Sequence, residues 1–234
     1  MTDPAPAPRR SRWGDLGLRV ASASVLVPLA LFCLWLGGWP WTALVILATL
    51  GLLWEWVMLW RLRPGAVPLL KLACGVAYVA PGALALFWLR DDPVAGLTDV
   101  LFLLLIVWAS DIGAYASGRL IGGPKLAPAI SPGKTWSGAA GGLLSAMLVG
   151  LAASRFAMPS PMSHGIAVAA VLGVLSQLGD LLESWLKRHF GVKDSSGMIP
   201  GHGGLMDRLD GVLAAAPAAA LLALLLGRGV ELWR

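Results

Sequence analysis

The sequence predicts an all-α, polytopic integral membrane protein: a helical bundle of about seven transmembrane helices with its N-terminus on the cytoplasmic side. Three observations carry this. Charged residues make up 13% of the 234 and hydrophobic residues 57%, whereas a soluble domain needs roughly 25% charge to keep its surface wetted. Seven stretches have the roughly 20 apolar residues with which a helix crosses the hydrocarbon core. The 18 Lys and Arg divide very unevenly between the two sides those spans define. Mean hydropathy is +0.75. The net charge of +5 belongs to that loop asymmetry, so no nucleic-acid partner is expected.

The chain opens with a Pro/Ala-rich tail lacking apolar periodicity, expected to be disordered and cytoplasmic over residues 1–17. Arg9, Arg10, Arg12 and Arg19 precede the first span, about 18–36. That run has span length and ends in Gly37-Gly38-Trp39-Pro40, not in a small-x-small cleavage site, so it reads as a retained anchor. The second span, about 39–60, holds Glu55 between Trp54 and Trp56, read as a local hydrogen bond or an interfacial residue. The third, about 69–89, is uninterrupted. The fourth, about 97–118, carries Asp111 and Tyr115 one turn apart near its end. A polar stretch, 119–136, leaves room for a re-entrant piece. The fifth span, about 137–154, is rich in Gly and Ala, which lets it approach its neighbours closely inside the bundle. The sixth, about 164–186, becomes charged at its C-terminal end, and the seventh covers about 206–227.

With the N-terminus inside, Arg9, Arg10, Arg12, Arg19, Arg61, Arg63, Lys71, Arg119, Lys125, Lys134, Lys187, Arg188, Lys193 and Arg208 share one side. Only Arg90, Arg155, Arg228 and Arg234 fall on the other. Fourteen against four is a strong positive-inside bias. Trp35, Trp39, Trp41, Trp60, Trp88 and Trp185 stand near span ends as interfacial anchors do. Cys33 and Cys74 sit inside apolar runs with no metal or disulfide spacing. His164 and His189 receive no role. Residues 18–96 form N-terminal helices and 97–234 a catalytic transmembrane part.

Carboxylates at span ends need a reason, because a charge in the bilayer is costly unless paired or metal-bound. Asp111, Asp180, Glu183, Asp207 and Asp210 all fall at the same end of spans four, six and seven. Asp180, Glu183, Ser184 and Lys187 follow i, i+3, i+4, i+7 and share one helix face. The loop to span seven is basic, and its Gly201, Gly203 and Gly204 stand just before a helix N-terminus, where N–H groups and the dipole favour an anion. Carboxylates for a divalent cation, with basic side chains and glycine N–H groups for phosphates, suit phosphoryl or nucleotidyl transfer. Pro132-Gly133-Lys134-Thr135 is no Walker A end, since Pro128 replaces the first Gly and no strand is expected before it.

The stretch Ser184, Lys187-Arg188, Lys193-Asp194, Ser196, Ile199-Pro200, His202-Gly203-Gly204, Asp207-Arg208 and Asp210 resembles the signature of phosphatidate cytidylyltransferases (CDP-diacylglycerol synthases). The similarity extends to Gln177, Gly179-Asp180 and Glu183, to Asp111, Gly113, Tyr115 and Gly118-Arg119, and to Ser131-Pro132 with Lys134-Thr135-Trp136. It covers about residues 100–215, with the signature at 184–210. Gly133 stands where the family has Lys, and Ser137 where it has Glu.

The resemblance implies transfer of the cytidylyl group of CTP to phosphatidate, with release of pyrophosphate. It implies Mg²⁺ on Asp180 and Asp207, with one cation or two, and Asp210 as a further ligand or a partner for Arg208. Lys187, Arg188, Lys193 and Arg208 would neutralise phosphates. Ser184, Asp194, His202, Gly203 and Gly204 would shape the nucleotide loop, Ser131, Lys134 and Thr135 would meet a substrate phosphate, and Asp111 and Tyr115 the lipid headgroup. A multi-pass protein of the inner (plasma) membrane, active at its cytoplasmic side and a homodimer, follows by the same resemblance. A lateral lipid entrance is expected beside span four, six or seven, with Gly113 and Gly179 lining it. Two other readings stand beside this one. One is another CTP-using lipid enzyme, a polyprenol kinase or ether-lipid cytidylyltransferase; the other is an ion-coupled transporter, which would place its acids near the midplane.

Overall fold

The computed structural model describes residues 12–61, 68–157, 160–227 and 229–234. Seven helices follow one another: α1 (Arg12–Leu36), α2 (Gly38–Arg61), α3 (Pro68–Arg90), α4 (Gly96–Leu120), α5 (Trp136–Ala152), α6 (Met162–Phe190) and α7 (Met206–Leu226). Each is long and apolar enough to cross a membrane, and the protein is a multi-pass, all-α membrane bundle. Much of the tail expected over 1–17 lies outside the described residues, as do Arg9, Arg10, Arg63 and Arg228; helix α1 begins already at Arg12.

The helices alternate in direction. Trp56 near the end of α2 donates to the Lys71 carbonyl near the start of α3 at 2.8 Å, while Arg90 at the end of α3 donates to the Leu34 carbonyl of α1 at 2.7 Å. Pro28, Pro81 and Pro217 lie inside helices, which membrane bundles tolerate because neighbouring groups satisfy the freed carbonyls. A π-helical turn, Ala153–Ala157, extends α5.

Small residues bring α4, α5 and α6 together, as the composition of the fifth span predicts. Gly142 of α5 illustrates it. A Cβ there would stand 2.8 Å from the Ser110 carbonyl of α4 and 2.8 Å from Gln177 Nε2 of α6. Gln177 itself donates to Ser110 Oγ and to the Ala139 carbonyl, both at 3.2 Å, tying three helices one turn before Asp180. Gly142→Leu is therefore expected to cost about 1–3 kcal/mol by overpacking. Thermal melting of the detergent-solubilised protein reads this out, and an unchanged Tm would contradict the close approach.

The stretch 119–136 holds no helical piece between the end of α4 and the start of α5. It forms a short antiparallel hairpin, β1 (Lys125–Ala127) and β2 (Ser131–Thr135), whose second strand runs directly into α5. Thr135 accepts from the Gly138 N–H at 3.0 Å and so caps that helix. At the opposite end of the bundle residues 229–234 fold back as a plug. Trp233 packs edge-on against Phe102 with ring centroids 4.9 Å apart. The Leu232 N–H donates to buried Asp99 at 2.9 Å, and the Gly229 N–H donates to Asp92 at 2.8 Å. Sequence reasoning assigned this segment no structure.

Candidate active site

The polar centre lies at the end of the bundle where α2, α4 and α6 finish and α7 begins, roofed by the β-hairpin and the 191–205 loop. The face expected on α6 forms. Asp180 pairs with Lys134 of β2 at 2.6 Å. Glu183, only 1% exposed, pairs with Lys187 at 2.7 Å. The same ammonium reaches Asp207 of α7 at 2.6 Å, so one cation bridges two helices. Ser184 donates to Asp180 at the long distance of 3.5 Å. Asp180, Glu183 and Asp210 each bring a carboxylate oxygen within 4.8 Å of the others. Glu183 Oε1 has no hydrogen-bond partner among the described residues. A buried, unpartnered carboxyl oxygen beside two more carboxyl groups fits a hard divalent cation, which takes oxygen ligands.

The 191–205 loop is organised by two carboxylates. Asp207 Oδ2 accepts from the Gly204 N–H at 2.9 Å, the Ser195 N–H at 3.2 Å and Ser195 Oγ at 3.1 Å. Glu55, at the end of α2 and fully buried, accepts from the Leu205 and Met206 N–H groups, each at 2.7 Å. It also shares the Ser195 hydroxyl with Asp207, at 3.2 Å, and accepts from Ser196 Oγ. The N-terminus of α7 was expected to offer open N–H groups to a substrate anion. Instead those groups are taken by the protein's own carboxylates, drawn there by the same dipole and orphan donors. Gly204 is required by this crowding: a Cβ would come within 2.8 Å of Glu55 Oε1 and 3.0 Å of Asp207 Oδ2. Gly203 has φ +84° in the tight turn closed by Ile199 N–H on the Gly203 carbonyl at 2.9 Å.

Glu55 is the residue that sequence reasoning left outside the site. Its signal was available, since it is the sole charged side chain within the second span and a charge there demands partners. Which partners, the sequence does not say.

Other expected residues distribute as follows. Arg208 lies over the loop, donating through Nε and Nη2 to the His202 carbonyl at 3.2 and 2.7 Å. His202 Nδ1 meets Ser22 Oγ of α1 at 2.8 Å. Arg188 donates to the Ile130 carbonyl in the hairpin turn at 3.2 Å, fastening the hairpin to α6. Thr135 is buried as the α5 cap, and Ser131 is half-buried at the head of β2. Ser137, where the resembling family carries Glu, donates to the Gly122 carbonyl and shares a hydrogen bond with Thr135, so it serves the hairpin. Lys193 and Asp194 are exposed on the loop, and Asp111 on α4. Tyr115 accepts from Arg119 at 2.8 Å and is largely exposed.

Gly113 and Gly179 do not line an opening. A Cβ at Gly113 would meet the Gly141 carbonyl at 2.7 Å, and one at Gly179 the Asp210 carbonyl at 2.5 Å. Both are buried where backbones touch, so both serve helix packing, the use lipid-embedded helices make of small residues.

Fold and site together define a polytopic membrane protein with a carboxylate-and-lysine centre at one end of its bundle, the equipment of phosphate-ester chemistry at a bilayer surface. Residues 69–226 match the cytidylyltransferase family. The chain belongs to that family. It is 37% identical over 246 residues to a phosphatidate cytidylyltransferase of Brucella suis, covering 86% of this chain and 91% of the relative. It is 42% identical over 160 residues to the enzyme of that name from Haemophilus influenzae, covering 64% of this chain and 56% of the relative. With the one from Staphylococcus epidermidis it shares 45% over 148 residues, 63% of this chain and 56% of the relative.

Proposed function

We propose that the protein transfers the cytidylyl group of CTP to phosphatidate, giving CDP-diacylglycerol and pyrophosphate. The family and the names of its relatives support this. The observation that carries it is the cluster of Asp180, Glu183 and Asp210 with Lys134 and Lys187 bound to it, placed at one end of a membrane bundle.

In the reaction a phosphate oxygen of the lipid bonds to the α-phosphorus of CTP, and the bond from that phosphorus to the bridging oxygen breaks to release pyrophosphate. The nucleophile belongs to the substrate, so no Ser or Cys is needed. The protein's task is positioning and charge neutralisation. Asp180 would hold Mg²⁺ together with Glu183 and Asp210, which gather with it, and Asp207 would join them by giving up the Oδ1 contact it makes with Lys187. When bound, the ion neutralises phosphate charge and polarises the bond to be attacked. Lys134, Lys187, Arg188, Lys193 and Arg208 surround the phosphates. Ser131 and Thr135 hold the hairpin that carries Lys134, while His202, Gly203, Gly204 and Asp194 shape the loop over the nucleotide. Ser184 steadies Asp180, and Asp111 and Tyr115 border the headgroup. The catalytic part, 97–234, draws Glu55 in from the N-terminal helices, 18–96.

Incubation of the purified protein with radiolabelled CTP, Mg²⁺ and phosphatidate is expected to yield a CDP-lipid and pyrophosphate in equal amounts. A phosphorylated polyprenol, a cytidylylated ether lipid in its place, or ion flux in liposomes without turnover would replace this reading.

The site end faces the cytoplasm of an inner-membrane protein, because the basic side chains gather there. In a variant lacking Cys33 and Cys74, single cysteines at positions 129 and 197 are expected to react with an impermeant maleimide only from the cytoplasmic side, and one at 93 only from outside. Labelling of 197 from outside would part the site from CTP and sink the proposed reaction.

A further inference from the structure

Glu183 Oε1 on α6 and the Tyr78 hydroxyl on α3 are both buried without a hydrogen-bond partner among the described residues. A buried donor left unmatched is costly, and phenylalanine would fill the same volume without that cost. The Tyr78 hydroxyl therefore needs a reason, and the proposed chemistry does not use it.

Its place in the bundle supplies one. Helices α3 and α7 run in the same direction and touch at Gly82, where a Cβ would stand 2.9 Å from the Leu213 Cα. Tyr78 lies one helical turn before Gly82 on the same face of α3, so it too is turned toward α7. One turn before Leu213 on α7 come Leu209 and Asp210, about 6 Å along the axis. The phenol thus stands level with Asp210, which gathers with Asp180 and Glu183. Burial aside, the carboxyl groups of Asp210, Glu183 and Asp180, in that order, act most strongly on its hydroxyl.

The ring is held in place. It stacks on Trp56 of α2 with centroids 5.7 Å apart and planes inclined by 23°, and it packs on a buried cluster that includes Phe190, Met206 and Leu213. Trp56 is itself fixed by its hydrogen bond to the Lys71 carbonyl at 2.8 Å. It lies over Gly75 of α3, where any Cβ would collide with the indole. This aromatic clamp keeps one donor at a constant height beside the carboxyl cluster.

We propose that Tyr78 is a positioning residue of the carboxylate centre: its hydroxyl donates through a bridging water to the Asp210 carboxyl group and keeps that group turned toward the cation. A buried water needs two to four polar partners, which the phenol and the carboxyl oxygens supply. Groups that orient a metal-binding carboxylate govern metal affinity nearly as strongly as the ligands themselves. The proposal rests on the reading of Asp180, Glu183 and Asp210 as the ion site of a cytidylyltransferase.

Tyr78→Phe tests it by removing the hydroxyl and keeping the ring. Binding of Mn²⁺ to the purified variant, followed by loss of the free-ion EPR signal, is expected to weaken about tenfold or more, while the metal-free Tm stays at or above that of the wild type. In turnover of CTP and phosphatidate, the Mg²⁺ concentration for half-maximal rate rises by a similar factor, and kcat at saturating Mg²⁺ changes little. Ser154→Ala, which removes another unpartnered hydroxyl at the opposite end of the bundle, leaves Mn²⁺ affinity as in the wild type. Unchanged Mn²⁺ affinity in Tyr78→Phe overturns the proposal and leaves the cytidylyl transfer standing. So does a lower metal-free Tm, because the hydroxyl would then be bonded within the protein. A wild-type protein whose Mn²⁺ binding depends on Tyr78 but which forms no CDP-lipid overturns the reaction instead.

Discussion

Asp180→Asn and Asp207→Asn are each expected to lower kcat by about 100-fold or more at saturating Mg²⁺, with the protein still folded and inserted. Asn keeps the shape of Asp and removes its charge. At position 180 the loss falls on a carboxylate that gathers with Glu183 and Asp210 and holds Lys134, so both the cation and the hairpin lysine lose their counter-charge. At position 207 the carboxylate has two separate duties. Oδ1 holds the Lys187 ammonium, and Oδ2 collects donors from Ser195 and Gly204. An amide can present only one acceptor oxygen, so one of these duties must be surrendered. Steady-state turnover of purified variants, checked against thermal melting, decides the matter. A variant at either position that keeps near-wild-type kcat at saturating Mg²⁺ would remove that carboxylate from the proposed ion site.

Glu55→Ala is expected to destabilise the protein by about 2–6 kcal/mol, taking about 1–3 kcal/mol for each buried N–H left without an acceptor. Its carboxylate receives both the Leu205 and the Met206 N–H groups as well as two serine hydroxyls, and the alanine supplies none of these acceptors. With that anchor lost, the 191–205 loop loses its tie to α2 and keeps those to Asp207, Arg208 and Ser22. Lower Tm, faster proteolysis within 193–204 and loss of turnover should appear together. Glu55→Gln, which retains one acceptor oxygen, should fall between the alanine variant and the wild type in all three. Wild-type stability in the alanine variant would show that the helix N-terminus is satisfied without Glu55.

Much of this protein was legible in the order of its residues, because the properties involved are local. Whether a stretch of 20 residues can lie in hydrocarbon depends on its own composition, so the seven helices match the expected spans to within a few residues, apart from the early start of α1. Helical periodicity likewise placed Asp180, Glu183, Ser184 and Lys187 on one face, and the glycine content of the fifth span foretold its close packing against α4 and α6. The spacing of the 184–210 signature carried the family. The hairpin at 119–136 escaped because three- and five-residue strands carry too little periodicity to register.

Only the tertiary structure decided which groups meet. Glu55 stands 150 positions before Leu205, and nothing in hydropathy or spacing says that the one acid of α2 caps α7. The same packing turned the expected anion cradle into a closed one: a helix N-terminus attracts any carboxylate within reach, and here Glu55 and Asp207 arrive with the fold. It set Lys134 on Asp180 and Lys187 between Glu183 and Asp207, and assigned Gly113 and Gly179 to helix contacts. Composition selects the solvent in which each segment lies, whereas a charge takes as its partner whichever opposite group the packed helices bring within reach.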